Sequence, residues 1–295
     1  MIPRELLKKI RHIEVRTSHL AHEMLAGAYH SVFKGRGMDF EEVREYELGD
    51  DIRTIDWNVT ARTGVPHIKK YREERDLTLM VMVDVSASGQ FGSGSQTKRE
   101  LAAEIASIFA FSAARNGDKV GLVLFTDEVE TFIPPRKGRS HIFRIIREIL
   151  ACKPARKGTN LKTALDFLNS VMRRPSVVFL ISDFLDEGFE KTLRVTNRRH
   201  DVVAVSIYDR RELELPDVGT ITLEDTETGE IMEVNLSEKR LRESFSREAQ
   251  EERKARKKRL ERAGLDTIEL ETEEPYQNRI RDFFERRLRR VIGSC

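Results

Sequence analysis

The stretch LTLMVMVDVSAS, residues 77–88, decides the fold. Its first seven residues are almost all apolar, which is typical of a strand buried on both faces of a parallel sheet. Polar residues take over at Asp84, and Ser86 and Ser88 follow at alternate positions. A second apolar run, residues 177–181, ends in Ser-Asp in the same way. Both runs predict central strands whose carboxyl ends carry oxygen-bearing side chains.

Strand-like and helical segments alternate outward from this stretch. The segments predicted as strands are 119–125, 129–133, 176–181, 201–207 and 265–270, and those predicted as helices are 98–116, 139–151, 159–172, 187–198 and 237–262. Such alternation predicts an α/β fold with a doubly wound, mostly parallel sheet and helices on both faces. An alternating stretch around Thr228-Gly229 predicts a β-hairpin insertion at about 219–235.

The pattern divides the chain into three parts. Residues 1–76 hold an amphipathic helix over 4–30 and a short β segment that we expect to pack on the main domain. The main α/β domain spans 77–271, and residues 272–295 form a C-terminal docking helix. The aromatic and apolar residues expected to anchor the β segment are Phe40, Tyr46, Ile55 and Trp57.

Composition excludes several classes of protein. The 52 basic and 50 acidic residues nearly cancel, which gives no case for nucleic-acid binding. Two cysteines cannot build a disulfide framework or a four-cysteine zinc site. The apolar runs are far shorter than the ~20 residues of a membrane span. The opening residues 1–5 include no apolar signal core, so the sequence predicts a cytoplasmic protein. Acidic residues from Glu248 to Glu261 accompany the basic run 253–262 and no aromatic stacking platform does, which favours a solvated helix face with i,i+4 pairs.

The two aspartates at the strand ends are the first candidates for a functional site. In open α/β sheets, ligands bind beyond the carboxyl ends of the strands, where the strand order reverses. If the strands ending at Val83 and Ile181 are neighbours, they lie roughly 4.8 Å apart. Asp84 and Asp183 would then face one crevice, with the sequence Gly-Thr-Asn at 158–160 beside them.

Two carboxylates, two serine hydroxyls and one threonine hydroxyl form a set of hard oxygen ligands. Close carboxylates repel each other unless a cation or proton lies between them. Oxygen ligands without histidine or cysteine suit Mg²⁺ or Mn²⁺ rather than zinc. Because the hydroxyls are neutral, a metal held here would still accept an anionic ligand from outside.

These five residues resemble, in order and placement, the metal-ion-dependent adhesion site of von Willebrand factor A domains. They are Asp84, Ser86, Ser88, Thr159 and Asp183. The resemblance implies that the two serines and the threonine contact the metal directly or nearly so. It implies that the aspartates act mostly through waters, and that a partner's glutamate or aspartate completes the coordination. Many A domains have a glycine after the last aspartate, where this chain has Phe184.

A second resemblance covers residues 30–292. The motifs that carry it are GRGMDFEEVREYELGDDIRTIDWNVTAR (35–62), DVSASGQFGSG (84–94), NGDKVGLVLF (116–125), PPRKGR (134–139) and ISDF (181–184). They resemble the bacterial domain of unknown function 58 family, whose members carry a von Willebrand factor A-like domain. Family members are typically encoded beside MoxR-type AAA+ ATPases. The resemblance therefore implies such an ATPase or its client as the protein partner, in protein remodelling or cofactor insertion.

Enzymatic alternatives lack residues that they need. A phosphatase of the haloacid type needs a second aspartate two residues after Asp84, where this chain has Ser86. A phosphate loop needs Lys-Ser/Thr where Ser-Gln stands at 95–96. His19 and His22 lack the order of a zinc-protease motif. We therefore expect a non-enzymatic adaptor, and the alternative is a Mg²⁺-dependent hydrolase that uses the same crevice.

Overall fold

The computed structural model describes residues 8–17, 28–33, 38–73, 77–224 and 230–292. The strands are β1 Met38–Glu45, β2 His67–Glu73, β3 Thr78–Asp84, β4 Lys119–Phe125, β5 Val129–Arg136, β6 Val177–Ser182, β7 Asp201–Tyr208, β8 Thr220–Glu224, β9 Ile231–Asn235 and β10 Asp266–Glu271. The helices are α1 over 8–17, α2 Ala28–Phe33, α3 Trp57–Thr63, α4 Lys98–Arg115, α5 Arg139–Ala151, α6 Leu161–Val171, α7 Glu190–Arg199, α8 Lys239–Arg262 and α9 Tyr276–Ile292.

The main sheet has the strand order β10-β7-β6-β3-β4-β5. Its strands run parallel except β5, which pairs antiparallel with β4. Strand β3 is the switch point, because the chain first adds β4 and β5 on one side and then β6, β7 and β10 on the other. The predicted doubly wound α/β fold is confirmed, and so is the predicted adjacency of β3 and β6.

Strand β3 is buried on both faces, which accounts for its unbroken apolar run. Leu79, Val81 and Val83 belong to a core formed with α4, α5 and α9, whereas Met80 and Met82 belong to a core formed with α6 and α7. All five side chains have no exposed surface. The helical layers on the two faces therefore leave only the ends of the central strands open to ligands.

Three outlying elements agree with the sequence as far as the structure describes them. Strands β8 and β9 form the predicted antiparallel hairpin. Helix α9 docks on the core of the main domain through an apolar face that contains Tyr276, Ile280, Phe283 and Phe284, with Leu288 partly buried against it. Of the helix predicted over 4–30, residues 8–17 and 28–30 are helical, and the remainder lies outside the described residues.

The charged helix α8 pairs mainly with other elements. Arg253 and Lys257 contact Glu269 of β10 at 3.3 and 2.9 Å, and Arg259 lies 3.8 Å from Glu190 of α7. The basic residues at 253–259 therefore pair mainly with acidic residues of β10 and α7, and not with the i,i+4 residues of their own helix that the sequence led us to expect. None of the helices within the described ranges is long and apolar enough to cross a membrane.

Strands β1 and β2 of the short β segment form a separate two-stranded antiparallel sheet. The prediction that Trp57 anchors this segment as a core residue is wrong. Its side chain is 68% exposed, and Ile52 is 65% exposed. Trp57 is the first residue of α3, which Asp56 caps by accepting hydrogen bonds from the backbone of residues 58 and 59. Ile68 of β2 is buried but belongs to neither core of the main domain. Packing of this segment on the main domain stays a prediction.

A buried histidine at the start of β7 predicts a pH-dependent stability. His200 is 1% exposed, and its Nδ1 lies 2.9 Å from the hydroxyl of Ser176. Burial, with a smaller contribution from Arg199, lowers the pKa of His200 to about 4. In the unfolded chain the histidine becomes protonated near pH 6.5, whereas in the folded chain it stays neutral until about pH 4. The free energy of unfolding therefore falls as the pH drops from 6.5 towards 4.

We expect wild type to lose about 2 kcal/mol of unfolding free energy through this group between pH 7 and pH 5. The matched variant is His200→Asn, which keeps a polar atom near the Ser176 hydroxyl and does not titrate in this range. Urea unfolding of both proteins at the two pH values measures the difference. An equal loss of stability in wild type and variant would contradict the prediction.

Candidate metal site

The five predicted side chains meet at the carboxyl edge of β3 and β6. Asp84 is the last residue of β3, and Asp183 directly follows β6. Ser86 and Ser88 lie in the turn and the short 3-10 helix after β3. Thr159 precedes Asn160, which caps α6 and whose backbone N–H bonds to the carbonyl of residue 126. The parallel pairing of β3 with β6 therefore brings residues almost 100 positions apart into one site.

Asp84 is the centre of the hydrogen-bond network. Its Oδ1 accepts a bond from the backbone N–H of Ser86 at 3.0 Å. Its Oδ2 accepts bonds from the hydroxyls of Ser182 at 2.7 Å and Thr159 at 3.4 Å. Asp84 is 8% exposed. These contacts fix its orientation, and Ser182 is a member of the site that sequence reasoning did not select.

The two serines link the aspartates. Ser86 Oγ lies 3.1 Å from Ser88 Oγ, and Ser88 is close enough to Asp183 to contribute to lowering the pKa of its carboxyl. A cavity of about 20 Å³ lies between Asp84, Ser88 and Asp183. That volume exceeds the ~10–15 Å³ that a single water needs. The cavity therefore has room for one water or small ion beside Asp84, Ser88 and Asp183. Its lining also includes the cationic Lys98 and Arg99 and the apolar side chains of Ala102, Ile181 and Ile207.

The two buried carboxylates have opposite pKa shifts. Burial and the nearby charge of Asp183 raise the pKa of Asp84 to about 6. Burial also acts to raise the pKa of Asp183, but the ammonium of Lys98 and the hydrogen bonds to the carboxylate hold it below its usual value. Both groups are ionised at neutral pH, and Asp84 bears the larger cost of its charge.

Three charged residues that sequence reasoning missed surround Asp183. Lys98, the first residue of α4, places its Nζ 2.9 Å from Asp183 Oδ2 and 2.5 Å from Glu212 Oε1. Arg256 of α8 donates to the backbone carbonyl of Asp183 at 3.1 Å. Burial alone would lower the pKa of Lys98, but the charges of Asp183 and Glu212 raise it, so the amine is protonated at neutral pH.

A protein-family model matches most of the chain and identifies its family. Residues 42–255 match the model of the family described as "Protein of unknown function DUF58". This chain belongs to the DUF58 family. The resemblance seen in the sequence is confirmed to that extent.

A relative shares nearly the full length of this DUF58 chain. The uncharacterized protein Rv1480 of Mycobacterium tuberculosis strain H37Rv is 32% identical over 293 residues, which cover 98% of this chain and 92% of the relative. Among solved structures, BatB from Bacteroides thetaiotaomicron covers 72% of this chain and 98% of its own, with 14% identity and a TM-score of 0.48. The SpRpn10 VWA domain covers 69% and 93%, with 12% identity and a TM-score of 0.37. Because both TM-scores are below 0.5, the description of the fold depends on the strand order given above and not on these two structures.

Phe184 adopts the conformation that a glycine would adopt most easily. Its φ is +56°, in the left-handed region that costs a side-chain-bearing residue about 1–2 kcal/mol. The backbone is held there because Phe184 N–H donates to Ser182 Oγ at 3.1 Å and because its buried ring packs against Phe189. The DUF58 chain thus keeps the tight turn after Asp183 and stabilises it by packing.

The glycine-rich loop of the DUF58 chain is anchored by Asp209, which is not one of the five candidate metal ligands. Asp209, at the end of β7, accepts hydrogen bonds from the backbone N–H and the hydroxyl of Ser93 at 2.9 and 2.6 Å. It also accepts a bond from Thr272 at 2.7 Å and has no exposed surface. The anchored loop leads into α4, whose start is capped by Thr97 and whose first residue is Lys98.

The site fits a hard divalent cation. Its donors are carboxylate and hydroxyl oxygens, which suit Mg²⁺ or Mn²⁺. Burial and the nearby Asp183 both raise the pKa of Asp84, and a cation between the two carboxylates would oppose that shift. Asp84, Ser86, Ser88, Thr159 and Asp183 of the DUF58 chain are the residues that would hold the ion.

Proposed function

We propose that this chain is a non-enzymatic, metal-dependent protein-binding module. Asp84, Ser86, Ser88, Thr159 and Asp183 hold Mg²⁺ or Mn²⁺, and a carboxylate of a partner protein completes the coordination. The observation that carries the proposal is the convergence of these five oxygen-bearing side chains on one edge of the sheet. The ion supplies a positive centre that binds the partner's anion.

The residue types favour binding of an external anion. Three of the five groups are neutral hydroxyls, so they bring no negative charge to the ion. A charge-assisted contact to a partner carboxylate is strong when it is shielded from water. Thr159 and Ser88 are half-buried whereas Ser86 is fully buried, so the site opens on the side of the first two.

The family resemblance supports the identity of the partner. Members of the DUF58 family are typically encoded beside MoxR-type AAA+ ATPases, so we propose such an ATPase or its client as the partner. The module would then connect the ATPase to a protein that it remodels or loads with a cofactor.

A Mg²⁺-dependent hydrolase in the same crevice is the alternative function. It would need a general base or a nucleophile beside the metal. The side chains that line the described cavity include no histidine or cysteine, and the amine of Lys98 is protonated by its ion pairs. These residues favour binding over catalysis.

Binding to a purified MoxR-type ATPase from the same genome tests the proposal. The full chain is immobilised, and the ATPase is passed over it in Mg²⁺, in EDTA, and in EDTA followed by excess Mg²⁺. We expect binding in Mg²⁺, its loss in EDTA, and its return with the metal. Equal binding in Mg²⁺ and EDTA would contradict a metal-dependent contact. Turnover of a phosphate ester that needs both Mg²⁺ and Asp84 would favour the hydrolase instead.

A further inference from the structure

Lys98 places a fixed positive charge inside the candidate metal site. Its side chain is 3% exposed and contacts both Asp183 and Glu212. Asp183 is also a candidate metal ligand, so the ammonium of Lys98 and a bound metal ion would compete for the same carboxylate. A metal bound here must share Asp183 with the ammonium or displace it.

The charges around the site balance without any metal. Among the described residues, the acidic side chains nearest the site are Asp84, Asp183 and Glu212, and the basic side chains that act on them are Lys98, Arg99 and Arg256; Glu252 and Arg259, which act on Arg256 from farther out, are of opposite sign. Arg99 is held beside Asp84 by bonds to the backbone carbonyls of Val85 and Cys152 at 2.6 and 2.9 Å. Formal charges of these six side chains cancel, so a divalent cation alone would leave two excess positive charges in a largely buried place.

Such an excess is costly where water is partly excluded. Without Lys98, the three acidic side chains and the two arginines would have a net charge of −1. The site would then attract the metal more strongly. With Lys98 present, an anion from outside lowers the cost of holding the metal. The metal likewise lowers the cost of holding the anion.

We propose that Lys98 makes metal binding conditional on a carboxylate, so that the free chain holds the divalent ion weakly and binds metal and partner cooperatively. This inference rests on the proposed function of the site. Linkage requires the coupling to be reciprocal: a carboxylate tightens the metal by the same factor by which the metal tightens the carboxylate.

A purely structural role of Lys98 makes a different prediction. The residue joins the start of α4, the turn after β6 and the short helix Arg210–Glu212. If it only joins these elements, its removal would lower stability and leave the coupling between metal and carboxylate unchanged. Metal affinity measured with and without a carboxylate therefore separates the two roles.

The experiment titrates MnCl₂ into the full chain by calorimetry. Sodium acetate is the carboxylate probe, acetamide is its neutral match, and free Mn²⁺ is corrected for acetate complexation. For wild type we expect acetate to tighten Mn²⁺ about tenfold or more, within the usual 5–150-fold range of coupling, and acetamide to have no effect. For Lys98→Met we expect Mn²⁺ to bind at least about tenfold more tightly without acetate, and the acetate effect to shrink.

Three further variants complete the test. Lys191→Met, at an exposed position of α7, should behave as wild type. Lys98→Arg keeps the charge and should keep the acetate dependence. Glu212→Gln makes the site more positive and should weaken Mn²⁺ without acetate, which tests the inference even if Lys98→Met does not fold.

The outcomes separate this inference from the proposed function. If wild type and Lys98→Met bind Mn²⁺ equally and acetate changes neither, the inference is overturned while the metal site stands. If neither wild type nor any variant binds Mn²⁺ with or without acetate, the proposed function fails and the inference fails with it.

Discussion

Asp84→Asn is expected to abolish stabilisation of the chain by divalent metal. At a free Mg²⁺ or Mn²⁺ concentration of about 100 times Kd, wild type should gain about 2.7 kcal/mol of unfolding free energy. The variant should gain none, because the amide keeps the shape of the side chain but removes the charge at the centre of the network. Its metal-free form should be at least as stable as metal-free wild type, since a carboxylate whose pKa is raised by burial destabilises the fold.

Urea unfolding with metal and with EDTA measures both effects, and acetate is included to allow for weak binding by the free chain. Asp127→Asn is the matched control, because Asp127 follows the neighbouring strand β4 and its side chain is 42% exposed. The control should respond to metal as wild type does. A metal response that survives in Asp84→Asn, or that is absent from wild type, would contradict the site.

Thr159→Val is expected to weaken partner binding by at least tenfold, or about 1.4 kcal/mol. Valine keeps the branched shape and removes the hydroxyl that bonds to Asp84. Full removal of the metal should cost more, because loss of one side of a buried charge pair typically costs ~2–5 kcal/mol. That corresponds to roughly thirty-fold to several thousand-fold in affinity.

The measurement is the affinity of the proposed partner, a MoxR-type ATPase, for each variant in Mg²⁺, with EDTA as the limiting case. Thr163→Val is the control, because Thr163 is an exposed threonine on the first turn of α6. Circular dichroism establishes that both variants fold. Partner binding that ignores Thr159 and EDTA alike would direct attention to the exposed residues of the N-terminal β segment.

The core of the site could be predicted because its position follows from local pattern. The apolar runs before Asp84 and Asp183 identified two central strands, and topology rules then placed their ends together. Asp84, Ser86 and Ser88 are close in sequence, so their spacing already carried information. Thr159 is distant in sequence; it was placed beside the others because it lies at the start of a predicted helix, and the order of a known motif supported that placement.

The charged surroundings of the site could not be predicted in the same way. Lys98, Glu212 and Arg256 come from three elements that no local pattern connects, and their contacts depend on how α4 and α8 pack. Charged residues are usually solvated, so a lysine at the start of a helix gives no sign that it will be buried. The chemistry of the site was therefore predicted without its counter-charges.

Trp57 shows how a general preference can mislead. Tryptophan is mostly buried on average, yet a two-stranded segment with one short helix has little core to bury it. The capping signals were more reliable: Asp56 caps the start of α3, and Gly64, with a φ of +74°, ends it. These two residues could have identified the helix that the sequence prediction missed.

Electron paramagnetic resonance of Mn²⁺ tests the metal site most directly, because the signal of free aqueous Mn²⁺ decreases when the ion binds. In acetate, wild type should bind one Mn²⁺ per chain, excess Mg²⁺ should release it, and Asp84→Asn should leave the free signal unchanged. An undiminished free signal with wild type, or the same loss of signal with Asp84→Asn, would contradict a metal centre built on Asp84, Ser86, Ser88, Thr159 and Asp183.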